Sequence, residues 1–241
     1  MQLWRWLGVA LVMTLGAARA DTMADLIRSH IEAIGGRERI TALKTMHVVG
    51  HVTTEGRTQK FDLLARRPNS IRVTTTAEGR TLIQGCDGTV AWRLQPDQSP
   101  QAHRMQGMEA TDFMGEAEFD DQLVDPESRG YQLDYAGEVT YQGHKAYKVL
   151  VTTLRLKPYF LILDAETYFI VAQVARQTDA SGQTLTKETR YSDFAPLDGV
   201  LLPRRFTVYL GERQQSETVL ETMEANVVIK PGTFALPDTA R

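Results

Sequence analysis

Cysteine is nearly absent from this chain. Cys86 is the only one in 241 residues, so no disulfide can form within the molecule and the fold must hold by packing. Long apolar runs are missing too: the stretch from Leu7 to Leu15 falls well short of the roughly 20 residues a helix needs to cross a bilayer, and no later segment comes closer. Positive charge is not in excess. With 27 Lys and Arg against 30 Asp and Glu, the formal net charge is -3, which offers nothing to a nucleic acid. Motifs that carry chemistry are lacking as well, since no Gly-x-Ser-x-Gly elbow, phosphate-binding glycine loop or His-Glu-x-x-His occurs. His47 and His51 stand four apart, but on an extended strand that spacing covers about 13 Å, too far for one ion. Cys86 is followed by Asp87, whose charge raises a thiol pKa, so it reads as a structural thiol. These absences argue against an enzyme, a metal site and a cofactor.

What the sequence does hold begins with an export signal. Arg5 lies in a short polar start, the apolar run follows, and Ala18-Arg19-Ala20 places small residues where a signal peptidase cuts. Residues 1–20 therefore read as a signal peptide and residues 21–241 as one exported domain. Met23, Leu26, Ile27, Ile31 and Ile34 recur at helical spacing, and Gly35-Gly36 stops the pattern. A second short turn is expected over Arg37–Leu43. From Met46 the period changes to two, and dipeptides such as Glu55-Gly56, Glu78-Gly79, Gln142-Gly143, Ser181-Gly182 and Asp198-Gly199 punctuate the strands. Between Arg104 and Arg129 the alternation lapses. Met105, Met108, Phe113 and Met114 there are long, flexible apolar residues that suit a mobile cover, or an ordinary helix packed on the sheet.

Two segments carry a family resemblance: Leu64-Ala65-Arg66-Arg67-Pro68-Asn69-Ser70-Ile71, and Ile83-Gln84-Gly85-Cys86-Asp87-Gly88-Thr89-Val90-Ala91-Trp92. With the N-terminal helix, Leu163-Asp164-Ala165-Glu166-Thr167, Asp198-Gly199-Val200-Leu201-Leu202-Pro203 and Phe234-Ala235-Leu236-Pro237, their order resembles the periplasmic lipoprotein-sorting proteins of the LolA and LolB type. The resemblance implies a mainly β fold with some α: an incomplete, strongly curved antiparallel barrel, with an N-terminal helix and a helical lid over an apolar cavity. It also implies that Arg67, matching the arginine of the family's Arg-Pro-Asn turn, latches the lid. Implied partners are a lipid or acylated lipoprotein, and an inner-membrane transporter or outer-membrane acceptor. Arg204-Arg205 and the polar stretch Glu212–Glu224 depart from the carriers, which weakens lipoprotein as the cargo and leaves a hydrophobic ligand.

The expected function is non-enzymatic binding or transport of a lipid or lipidated protein in the periplasm. The alternative is a sensor or adaptor that regulates a partner protein on lipid binding. Strand alternation and the two-sided apolar run near Phe160 give the expected cavity lining: Phe61, Leu63, Ile71, Val73, Trp92, Val149, Val151, Phe160 and Ile162. Met105, Met108, Phe113 and Met114 are the expected lid. If Arg67 lies near the surface, its loss should cost about 1 kcal/mol or less.

Overall fold

Two glycines end the first helix where the backbone turns left-handed. A side chain on Gly35, at φ 127°, would lie 2.3 Å from the Gly199 carbonyl oxygen, and Gly36 at φ 87° also requires a left-handed backbone. The computed structural model describes residues 22–153, 157–178 and 182–238, so the expected signal peptide lies outside the described residues. Helix α1 covers residues 22–33 and α2 covers Arg37–Ala42. On α1 the buried positions are Met23, Leu26, His30 and Ile31, the apolar stripe read from the sequence with a histidine set into it.

Strands follow as paired hairpins: β1 (Thr45–Thr54), β2 (Arg57–Arg66), β3 (Ser70–Ala77), β4 (Arg80–Cys86), β5 (Ala91–Leu94) and the short β6 (His103–Arg104). Helix α3 (Gly107–Glu116) and a single 3-10 turn (Glu127–Arg129) interrupt them. Then come β7 (Gln132–Tyr141), β8 (His144–Thr152), β9 (Tyr159–Asp164), β10 (Ile170–Thr178), β11 (Thr184–Ser192), β14 (Arg205–Leu210) and β15 (Arg213–Ala225), with a small separate hairpin of β12 (Ala195–Leu197) and β13 (Val200–Leu202). The tight turns are as the dipeptides predict. Glu55-Gly56, Glu78-Gly79, Gln142-Gly143 and Asp198-Gly199 each place two successive residues at positive φ, the twist that joins antiparallel strands without splaying them. Ser181 lies outside the described residues.

The fold is mainly β. Among the described residues thirteen strands run in the hydrogen-bonded order β6-β5-β4-β3-β2-β1-β15-β14-β11-β10-β9-β8-β7. Backbone contacts gather into two compact units, one comprising the chain up to Ile34 with Gln122–Ala175, the other Gly35–Asp121 with the chain from Arg176 onward. Within the first unit, Tyr147, Val149 and Val151 of β8 stand opposite Leu163, Leu161 and Tyr159 of β9 and share one face; Val149, Val151, Leu161 and Leu163 are fully buried there. The other face gathers Ala146, Ile162 and Ala172 into a smaller cluster. Ala136 is an extra residue in the β7–β8 ladder, where the register shifts between Tyr135 and Gly137.

In the second unit the chain after Ala225 crosses one face of the sheet and seals it. Trp92 is fully buried, its indole Nε1 donates to the Phe234 carbonyl at 2.8 Å, and the Arg66 guanidinium lies 4.9 Å from the centre of the Phe234 ring. Gly85 sits directly across from Trp92, and a Cβ there would come within 2.3 Å of the indole. Gly85→Ala should therefore push the indole outward and cost about 1–3 kcal/mol. Urea unfolding followed by tryptophan emission checks this, because Trp92 is the only tryptophan after Trp6.

Candidate functional site

The register of the second unit sorts its side chains into two unlike faces, because residues directly opposite on neighbouring strands point the same way. Phe61, Leu63 and Ala65 of β2 face Thr75, Val73 and Ile71 of β3, and Ile71 in turn faces Cys86. On β1 and β15 the same face continues through Val48, Val52 and Leu220, and on β14 and β11 through Phe206, Val208 and Tyr191. Charged groups collect on the opposite face, where His47 bonds Asp62 at 2.9 Å and His51 bonds Glu221 at 2.8 Å. No cluster of metal-ligating side chains occurs among the described residues.

Helix α3 packs on one end of the apolar face. Phe113 and Ala117, with Met105 before the helix, are buried against Ile71, Cys86 and Ala91, with Ala110, Met114, Leu63 and Val73 packed around them. Burial pushes the Cys86 thiol up, a Gly88 N–H offsets part of this, and Asp87 adds to it. Such a thiol is unreactive packing. Met108, in the first turn of the helix, is 78% exposed. Away from α3 the face is only half-covered: Val52, Leu82, Phe206, Val208 and Leu220 are all intermediate in exposure although all are apolar.

Arg67 fixes the far end of this cover. Its Nε donates to the Leu43 carbonyl at 3.1 Å, one Nη donates to the Ile40 carbonyl at 2.6 Å, and the other forms an ion pair with Asp120. Its plane also lies 4.7 Å from the centre of the Phe119 ring, while the Phe119 N–H donates to the Pro68 carbonyl at 3.0 Å. One guanidinium thus joins α2, the strand entry at Leu43 and the segment just after α3. Arg67 and Asp120 are only 17% and 14% exposed, so the condition of a near-surface arginine, with its small cost of loss, is not met. Next to Asp120, the Asp121 carboxylate lies near Tyr191. Burial first, and that negative charge second, push the Tyr191 hydroxyl up to about 12.

The structure brings together four of the residues expected to line a cavity, Phe61, Leu63, Ile71 and Val73, all on the face that α3 covers. Trp92 does not join them. It is opposite Gly85, on the other face under the C-terminal segment, because β5 enters with the reverse parity. In the first unit, Val149 and Val151 share one face, whereas Phe160 and Ile162, opposite Leu150 and Lys148, share the other, so these four do not line one surface. Both faces of β8 and β9 are apolar, and alternation cannot tell them apart. Sequence reading missed Val48, Val52, Phe206, Val208, Leu220 and Tyr191, whose strands mix apolar and polar residues on both faces. It also missed Asp120, for which Arg67 offered the only hint.

No family model and no curated protein matches the chain. Solved structures do. A DUF1329 family protein from Desulfovibrio piger superimposes with a TM-score of 0.59 at 13% identity, covering 89% of this chain and 99% of that one. A LolA superfamily protein from Nitrosomonas europaea gives a TM-score of 0.58 at 15% identity over 84% of this chain and 93% of its own. The fold is LolA-like. A domain provisionally named an outer membrane lipoprotein-sorting protein, from Vibrio parahaemolyticus, gives 0.57 at 10% identity, covering 83% of this chain and 94% of that one. Among the described residues, no helix is long and apolar enough to cross a membrane.

Two outcomes follow from this geometry. Arg67→Leu strands a largely buried Asp120 and two carbonyls, and should cost about 2–4 kcal/mol in urea unfolding, with Arg67→Lys recovering only part because it lacks the planar fork. Tyr191 holds its proton more tightly folded than unfolded, so its contribution to stability is complete below pH 10 and is lost as pH rises from 10 toward 12. Comparing unfolding midpoints of the parent and Tyr191→Phe across that range should show the parent falling faster.

Proposed function

We propose that this protein binds a lipid acyl chain, non-covalently and without catalysis, on the half-covered apolar face of the second unit. The observation that carries this reading is one-sided. Val52, Leu82, Phe206, Val208 and Leu220 share a face with Leu63 and Val73, keep part of their surface in water, and stand next to a helix anchored through Arg67. Exposed apolar area of this kind costs free energy until a guest covers it. Each methylene so buried contributes about 0.8 kcal/mol, and a long acyl chain on the order of 10 kcal/mol before ordering is subtracted. No catalytic group is needed for that.

The LolA-like fold supports a carrier of lipid or acylated protein in the periplasm, with Arg67 as the latch of the α3 cover. In the closed state Arg67 and Asp120 hold the segment after α3 against α2, and an entering chain must displace Phe113 or Met114 from the apolar face. Met108, 78% exposed, is the lid residue with most of its surface in water.

A fluorescent fatty-acid probe tests the proposal. The parent should take it up saturably, and Val52→Lys or Val208→Lys should weaken uptake by about tenfold or more, by placing a charge where the chain must lie. Absence of uptake by the parent, or equal affinity in folded variants, would remove the apolar face as the site. Lipid release should slow in Arg67→Leu if the latch favours the closed, empty state; equal release rates would show that Arg67 is structural only.

A further inference from the structure

We propose that Tyr135, Tyr147 and Tyr168, in the first unit, form a second binding site that takes the pyranose rings of a neutral oligosaccharide. Tyr168 is the starting point. Eight non-glycine residues among those described have positive φ, and the other seven are Glu, Gln, Asp or Asn, whose side chains are polar. Tyr168, at φ 58°, is the one bulky aromatic ring in that region, where a large side chain is strained and glycine is not.

The surroundings hold the strained residue in place from several sides. The Asp164 carboxylate accepts the Thr167 N–H at 2.8 Å and its hydroxyl at 2.9 Å, and the Tyr168 N–H donates to the Asp164 carbonyl at 2.9 Å. From α1 the buried His30 donates its Nδ1 proton to the Tyr168 carbonyl at 2.9 Å. So fixed, the Tyr168 ring lies nearly parallel to Tyr147, with centroids 6.0 Å apart and planes 19° from one another, and Tyr135 stands 6.5 Å beyond at 55°. All three are half-buried, each keeping part of its surface in water.

The chemistry on offer selects the ligand. Three rings supply flat apolar area of low conformational entropy, and their hydroxyls supply donors and acceptors at the rim. The nearby charges cancel, since Lys145 pairs with Glu138 at 2.9 Å while lying 6.0 Å from the centre of the Tyr147 ring. A pyranose has an apolar C–H face and hydroxyls around its edge, which matches rings bordered by a neutral polar rim. An anionic ligand would find no net positive charge, and an acyl chain would make no use of the hydroxyl rim.

Chitotetraose, cellotetraose and maltotetraose, each titrated into the full chain by calorimetry, test the proposal. At least one should bind saturably. Tyr147→Ser should then lose about tenfold or more in affinity, the loss of one aromatic stacking contact and its surrounding area. Tyr168→Gly is the more telling variant, because glycine relieves the backbone: it should keep the parent's thermal midpoint or exceed it, yet lose the sugar. Should Tyr168→Gly fail to fold, Tyr135→Ser on the edge strand gives the same reading. No saturable binding of any of the three sugars overturns the proposal, as does full affinity in the folded variants. Concentration-dependent dimerisation of the parent that disappears in Tyr147→Ser, with no sugar bound, would make the patch an interface between copies and would also overturn it.

Discussion

A guanidinium buried next to a carboxylate has to be satisfied on every side, and Arg67 is satisfied by parts of the chain that are far apart in sequence. Ile40 and Leu43 give carbonyls, Asp120 gives a charge and Phe119 gives a ring face. Water cannot replace these partners without opening the structure, so the position of the segment after α3 relative to α2 and the start of β1 is set by one side chain. The apolar face of the second unit is shaped by that constraint. It is covered where α3 packs and half-covered beyond it, and the boundary lies where Phe113 and Ala117 stop.

Much of the chain's local structure could be read in advance, and for physical reasons. Glycine following a polar residue marks the places where two left-handed residues must succeed one another, and these fell at the hairpins. Helix α1 followed from its apolar spacing, and α2 from the short pattern after Gly36. Faces were harder. Trp92 looked like a lining residue because it is large and lies on a strand, but what covers it is Phe234, 142 positions later, and no local pattern reports a contact of that range. The apolar runs of β8 and β9 carry no alternation at all, so Val149 and Phe160 could not be assigned to faces without the register.

His30 and Asp120 teach a related lesson. Each looked unremarkable in sequence, a histidine on a helix and one carboxylate among several. Burial is what gives them meaning: His30 is 2% exposed and spends its proton on a backbone carbonyl, and Asp120 answers a charge that is itself largely withdrawn from water. Composition alone ranks such residues with the solvated surface.

The strand order among the described residues has two terminal strands, and these differ. β6 is two residues long, too short to template anything. β7 is ten residues long, and its free edge would invite another chain to pair with it. Its ladder is broken by the extra residue at Ala136, and Asp134 and Glu138 stand exposed on either side of that break. A second copy approaching edge to edge would have to match a kink and bring carboxylates together. The same bulge that shifts the register of Tyr135 thus makes this strand a poor template for edge-to-edge pairing, as a kink and like charges do on any exposed strand.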